Sequence, residues 1–129
     1  MAIHNELGPG FSEELYQRAL VVGLLDEEVP HQAEYRINMH YRSKPIGAFE
    51  LDFVVADRVI VELKAVATLA PIHKQQAIAH LAASGLSVAL LINFGSTKLE
   101  YQRLFPPKAV QASAAYQARH ASSGSSSTI

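Results

Sequence analysis

The sequence predicts an α/β fold in which helices pack on a mixed β-sheet. Three observations indicate this fold: a β-hairpin pattern at 49–64, an amphipathic helical pattern before it, and a helical segment followed by a nearly continuous apolar run after it. A helix that separates two strands acts as a crossover connection. We therefore expect parallel pairing beside the antiparallel hairpin, with helices flanking the sheet.

Each element has its own boundary signals. Ser12 is a plausible N-cap for the first long helix, Pro71 suits the first turn of the second, and Gly85 ends it. The run before Asn93 is apolar on both faces, as in a buried strand. The predicted elements are helix 11–28, strand 34–41, hairpin 49–64, helix 71–84, strand 86–93 and strand 99–105. Residues 1–7 are compatible with the end of a further helix.

Length and composition limit the classes of protein that this chain can be. Its 129 residues suit one domain, and the net charge of -1 does not indicate a broad basic surface. The absence of cysteine excludes disulfides and thiolate metal sites. No apolar run has the length of a membrane span, so the expected protein is soluble and cytoplasmic.

After Pro106-Pro107 the composition shifts to Ala, Gln and Ser. We expect a domain at 1–107 and a disordered tail at 108–129, with at most a frayed helix near 109–119.

The hairpin places charged residues where a sheet rarely carries them. Glu62 and Lys64 alternate onto one face of its second strand. If Val55 pairs with Val59, Asp52 lies opposite Glu62, and two opposed carboxylates destabilise a sheet unless something offsets their charge. A bound divalent cation would do so. A two-residue turn would instead separate Asp52 from Glu62, and two solvated charges near a lysine remain the simpler alternative.

Two helices supply further polar candidates. Glu13 lies at the edge of the apolar stripe of the first helix, although acids in a first turn also suit the helix dipole. Gln76 and His80 are four residues apart and share a face of the second helix, where a solvated face is the alternative reading. The chain has no P-loop, no GxSxG motif and no HExxH motif.

These residues together resemble the GxxExxY proteins, small prokaryotic members of the PD-(D/E)XK nuclease superfamily. The name motif stands here as Gly10-Phe11-Ser12-Glu13-Glu14-Leu15-Tyr16, after His4-Asn5-Glu6-Leu7. Asp52 with Glu62-Leu63-Lys64 matches the acid and ExK motif, and Pro71-Ile72-His73 with Gln76, then Leu91-Ile92-Asn93-Phe94-Gly95, resemble later blocks. The match runs in order from about Ile3 to Phe105. Members usually carry a longer first helix, which leaves open whether the native chain starts upstream.

The resemblance implies a restriction-endonuclease-like αβββαβ core and a nuclease that uses Mg²⁺ or Mn²⁺. The implied metal ligands are Asp52, Glu62 and the backbone carbonyl of Leu63, with Glu13 completing the acidic shell directly or through water. Lys64 is the implied catalytic lysine, so the implied catalytic set is Glu13, Asp52, Glu62 and Lys64. Gln76, His80 and Tyr16 are assigned to substrate binding. The implied partner is nucleic acid, with DNA favoured over RNA, and no membrane.

The chain departs from the family pattern at two positions. His80 replaces the usual tyrosine of a QxxxY pattern, and Glu50 stands two residues before Asp52 where a basic residue is expected. Both changes weaken phosphate contact more than metal binding. They leave room for a catalytically weak or inactive nuclease-fold module that binds nucleic acid or a protein, and for a hydrolase of a small phosphoester. The oligomeric state, including a homo-oligomer, stays open.

Overall fold

In a computed structural model that describes residues 2–127, the chain forms a five-stranded mixed sheet with helices on both faces. Side chains are described as far as residue 120. The helices are α1 (Ala2–Leu7), α2 (Glu13–Asp26), α3 (Pro71–Ser84), α4 (Lys108–Gln111) and α5 (Ala114–Ser127). The strands are β1 (His31–Tyr41), β2 (Lys44–Val55), β3 (Val59–Lys64), β4 (Val88–Asn93) and β5 (Glu100–Leu104). The predicted α/β class and element order are confirmed.

The sheet contains one parallel pair among antiparallel ones. Its order is β1-β2-β3-β4-β5, and only β3 and β4 run parallel, joined by the crossover helix α3.

The predicted boundary residues of the helices cap them as expected. Ser12 Oγ accepts the backbone N–H of Leu15 at 3.3 Å, which caps α2, and Gly85 ends α3 at a left-handed φ of 74°. His73 Nδ1 accepts the N–H of Ala70 at 2.9 Å and so caps the start of α3.

Two hydrophobic clusters sandwich the sheet. On one face α3 packs Ala77 and Leu81 against Leu51, Val54 and Ile60. On the other face α2 packs Tyr16 against a second group of buried residues: Phe53, Val61, Leu63, Ile92 and Phe94. The alternation along β3, with Ile60 on the α3 face and Val61 and Leu63 on the α2 face, therefore directs the side chain of Glu62 toward α3.

The segment after Pro107 differs from the predicted disordered tail over the residues that the structure describes. Helices α4 and α5 occupy most of it, and Arg119 Nε donates to the carbonyl of Ser84 at 3.1 Å. Val110 packs against the α3-side cluster, which the low apolar content of the segment does not reveal. Residues 128–129 lie outside the described residues, and the division of the chain at 107 stays a prediction. Within the described part, no helix has the length and apolar character needed to cross a membrane.

Candidate active site at the end of strand β3

The site begins where β2 separates from β3. Their ladder pairs Val55 with Val59, Val54 with Ile60 and Phe53 with Val61, and then stops, although β2 and β3 both continue. This register, one of the two that the sequence left open, makes Asp52 and Glu62 the next opposed residues. At this point the carboxylate of Asp52 takes the place of a strand partner, because its Oδ2 accepts the N–H of Leu63 at 2.7 Å. The position of this carboxylate is thus fixed by the sheet itself.

The backbone pattern of β2 shifts at the same residue. Leu51 packs in the α3-side cluster, whereas Phe53, two residues later, packs in the α2-side cluster. Regular alternation would place residues 51 and 53 on the same face. The irregularity therefore falls at Asp52, which lies between the two clusters and reaches sideways toward β3.

The environment of Asp52 makes its ionised form costly. Burial is the main cause that raises the pKa of this carboxyl above its ordinary value of 3.8, and the charges of Glu62 and Glu13 raise it further. The hydrogen bond from Leu63 and the charge of Lys64 act in the opposite direction and do not cancel the rise. Glu13 lies near enough to act on Asp52 from the exposed first turn of α2. A cation near these acids would offset their repulsion.

Glu62 is held from the opposite side by α3. Its side chain is 7% exposed, and Oε1 contacts Nδ1 of His80. The ring of His80 in turn stacks on Phe49, with 4.6 Å between the centroids and an interplanar angle of 18°. His80, which the sequence assigned to substrate binding, therefore contacts an acid of the site and orients it. Gln76, one turn earlier on α3, is exposed and has its side chain accessible from solvent.

Lys64 is the last residue of β3 and lies half-buried beside Asn93 of β4. Its carbonyl accepts the N–H of Phe94 at 2.9 Å, which continues the parallel ladder past the end of the strand. The charge of Lys64 acts on Asp52. The structure thus brings Asp52, Glu62 and Lys64 together at one end of the sheet.

A buried amide fixes the loop that follows Lys64. Asn93 is 0% exposed. Its Oδ1 accepts the N–H groups of Val66 and Gly95, both at 3.0 Å, and its Nδ2 donates to the carbonyl of Val66 at 2.8 Å and to Glu100 Oε1 at 2.9 Å. Gly95 allows the close approach, because a Cβ there would overlap the backbone of Val66. The resemblance marked Asn93 and Gly95 without a role, and no sequence pattern pointed to Glu100.

Replacing Asn93 with alanine is expected to lower stability and to loosen the loop after Lys64. The change leaves backbone groups of Val66 and Gly95 without their buried partner, at a cost of about 2 kcal/mol. Chemical denaturation of Asn93→Ala measures this loss. Lys98→Ala, on the exposed turn nearby, is the matched control and should leave the unfolding midpoint unchanged. Equal stability of parent and Asn93→Ala would contradict a structural role for the amide.

Tyr16 requires a correction. Its side chain is 0% exposed and stacks on Phe94, with 4.7 Å between centroids and an interplanar angle of 9°. The hydroxyl donates to the carbonyl of Gly8 and accepts the N–H of Phe11 at 3.3 Å. Direct contact with a substrate is excluded by this burial. Tyr16 instead holds the turn before α2, and thereby the position of Glu13.

The donor set fits a hard cation only in part. Among the side chains that the structure describes, no three His, Asp or Glu residues are grouped closely enough to hold a metal ion by themselves. The contacts described above use Oδ2 of Asp52 and Oε1 of Glu62, which leaves Oδ1 and Oε2 for a ligand. Mg²⁺ keeps several of its waters and often binds proteins through one or two carboxylates. Two carboxylates and the carbonyl of Leu63 are compatible with that mode of binding.

The solved structures that resemble this chain include two longer proteins. A crystal structure of SSO0001 has a TM-score of 0.61 at 12% identity, covering 83% of this chain and 56% of its own. The alkaline exonuclease LHK-Exo from Laribacter hongkongensis has a TM-score of 0.54 at 13% identity, covering 77% of this chain and 58% of its own. At such identities the likeness concerns the fold, which resembles that of restriction-endonuclease-like nucleases. No protein of curated function matches the chain in sequence. A family model for the PD-(D/E)XK nuclease superfamily matches residues 1–104, and the chain therefore belongs to that superfamily.

Proposed function

We propose that this chain is a nuclease that depends on Mg²⁺ or Mn²⁺ and hydrolyses phosphodiester bonds of nucleic acid, with DNA as the substrate. The observation that carries the proposal is the carboxylate of Asp52, bound to the N–H of Leu63 where β2 leaves β3. This places it next to Glu62 and Lys64. Membership of a nuclease superfamily and the fold shared with an alkaline exonuclease support the proposal. We also propose that, within this superfamily, the chain is a GxxExxY protein.

In this proposal each residue has a separate task. Asp52, Glu62 and the carbonyl of Leu63 hold the cation, and Glu13 adds negative charge around it. When bound, such an ion lowers the pKa of a coordinated water and offsets charge on a phosphoryl group. Lys64 orients the attacking water, or stabilises the negative charge that develops on the phosphate. His80 keeps Glu62 in place through Nδ1, and Phe49 keeps the imidazole in place by stacking.

A panel of polynucleotides tests the activity directly. Single- and double-stranded DNA and RNA are incubated with the protein in Mg²⁺, Mn²⁺ or EDTA, and the products are separated on gels. We expect cleavage in either metal and none in EDTA. Cleavage that persists in EDTA, or in a folded Asp52→Ala variant, would contradict the assignment. A small phosphodiester such as bis-p-nitrophenyl phosphate, cleaved in place of every polynucleotide, would indicate the small-substrate alternative.

Substitutions on α3 should separate positioning from substrate contact. Gln76→Ala is expected to raise KM by about tenfold while leaving metal affinity unchanged, since Gln76 is exposed to solvent. His80→Tyr, which keeps an aromatic ring against Phe49, should retain activity within about tenfold, whereas His80→Ala should lower kcat and weaken Mn²⁺ binding. Kinetics and metal titration are measured on all three. Loss of metal affinity in Gln76→Ala, or a folded but inactive His80→Tyr, would mean that these roles are wrong.

A binding module without catalytic activity is the second candidate. Glu62 is occupied by His80, no three acids are grouped in the described part of the chain, and Glu50 adds negative charge before Asp52. Such a module would bind polynucleotides without cleaving them and would show no divalent-metal site by calorimetry. Tight Mn²⁺ binding that Asp52→Ala abolishes would favour the nuclease.

A further inference from the structure

The two-stranded extension of β1 and β2 carries a charge opposite to that of the rest of the chain. We define the arm as residues 36–48. It contains Arg36, Arg42 and Lys44, all exposed, and none of the twelve acidic residues. The remaining residues therefore hold eight of the eleven basic side chains against all twelve acidic ones. A net charge of -1 thus conceals one positive projection on a negative molecule.

The geometry of the sheet places the arm at the same end as the candidate site and projects it beyond that end. β2 pairs with β3 only at Phe53–Val55, so its earlier residues pair with β1 alone, as far as the register Tyr41↔Lys44. Because β2 runs antiparallel to β3, this overhang lies at the end of the sheet where Lys64 ends β3. From Phe49 to Lys44 the arm reaches about 16 Å. The turn at its tip places Arg42 and Ser43 at φ 49° and 65°, the signs of a two-residue type I′ turn.

The arm is tied to the site at its base. Phe49, the residue that follows it, stacks on His80, which contacts Glu62. Beyond this point the arm has almost no packing. Tyr41 is 61% exposed and Ile46 65% exposed, and the guanidinium of Arg42 lies 5.3 Å from the ring centroid of Tyr41. Exposed cationic and apolar side chains on one projection suit a partner with an anionic backbone and a groove that presents base edges and methyl groups.

We infer that the arm binds a nucleic acid duplex beside the scissile phosphodiester, with its basic side chains on the phosphates of the segment next to the cut. This inference rests on the proposed function. The major groove of a duplex is wide enough for a two-stranded β-ribbon, and phosphate oxygens are the groups that arginine and lysine contact most. The arm thereby supplies locally the positive charge that the molecule lacks overall and that Glu50 denies to the site. It makes duplex the preferred substrate form.

Binding of duplex DNA, measured in EDTA so that no cleavage occurs, tests the arm separately from catalysis. The variant is Arg36→Gln, Arg42→Gln, Lys44→Gln. The matched control is Arg58→Gln, Arg103→Gln, Lys108→Gln, which removes three exposed charges elsewhere. Fluorescence anisotropy with a 20-base-pair duplex is recorded at several salt concentrations. We expect the arm variant to bind about tenfold or more weakly at low salt, with a log K against log salt slope shallower by about 2.7. The control should change both much less.

The outcomes are distinct for the arm and for the nuclease. An Arg42→Gln, Lys44→Gln double variant, confined to the exposed tip, should give an intermediate slope and so guards against a folding defect. Equal losses in the arm and control variants, or an unchanged slope in both, would overturn the arm while leaving metal-dependent cleavage to stand. Arm-dependent binding without any cleavage would support the arm and remove the nuclease. Tighter binding of single-stranded than of duplex DNA would also overturn the role of the arm. So would self-association of the protein that a Tyr41→Ser, Ile46→Ser double variant abolishes while its duplex affinity stays that of the parent.

Discussion

Lys64→Ala is expected to lower metal-dependent cleavage by about 100- to 1000-fold while the fold persists. A cationic group that acts on charge developing in the transition state contributes this much to the rate, because it acts where water is partly excluded. Lys64 is half-buried at the end of β3, and its charge acts on Asp52. The contribution should therefore concern the chemical step. Single-turnover cleavage in Mn²⁺ measures it without interference from product release.

Two controls define what the loss means. Lys74→Ala removes an ammonium from α3 instead of β3 and should retain activity within about twofold, as expected of a charge outside the site. Lys64→Arg keeps the charge with a different shape, and we expect it to recover only part of the rate. Metal affinity in Lys64→Ala should be equal to that of the parent or higher, since removing a cation lowers the repulsion of a second one. Undiminished cleavage by a folded Lys64→Ala would remove the lysine from the mechanism.

The hairpin at residues 49–64 shows how far the sequence leads. Turn length and strand alternation narrowed the hairpin to two registers, because those rules are local, and the structure has the Val55–Val59 register, which opposes Asp52 and Glu62. Periodicity could not reveal that the ladder stops after Phe53, nor that Asp52 would bind the N–H of Leu63. The point where the strands separate depends on contacts of β2 with β1 and with α3, which are distant in sequence.

The same limit explains the residues that sequence reasoning placed differently. Tyr16 lies in a motif beside Glu13, and nothing in that spacing tells that its ring stacks on Phe94, seventy-eight residues later. The role of His80 toward Glu62 and that of Asn93 toward Val66 depend on contacts across the crossover. The helices after Pro107 combine weak local helix propensity with contacts to α3. A prediction from composition takes account of the propensity and not of these contacts. Contacts distant in sequence decided each case.

Asp52→Asn should stabilise the metal-free protein at neutral pH. Burial and two neighbouring acids raise the pKa of Asp52, so the folded protein binds its proton more tightly than the unfolded chain does. The parent therefore loses stability as the pH rises from the ordinary value of 3.8 through the raised value in the folded state, and the full cost persists above it. Asparagine carries no charge and so has no such cost. Its amide oxygen accepts the N–H of Leu63 less strongly than a carboxylate does, which reduces the stability gain. The advantage of the variant should shrink as the pH falls toward 3.8.

Bound metal should reverse this difference and make the parent more stable than Asp52→Asn. A ligand that binds only the folded state stabilises it by about 2.7 kcal/mol at a hundredfold excess over its Kd, which corresponds to a Tm roughly 10 °C higher for a domain of this size. We expect this gain in the parent with Mn²⁺ and little of it in Asp52→Asn, because an amide oxygen is a poorer ligand than a carboxylate for a hard cation. Asp57→Asn, on the exposed turn between β2 and β3, is the matched control and should respond like the parent. Calorimetry of the three proteins with and without Mn²⁺ decides between a metal site and separate surface charges. Identical shifts in all three would refute the site whatever substrate the protein acts on, since the carboxylate of Asp52 would then contribute nothing to holding the ion.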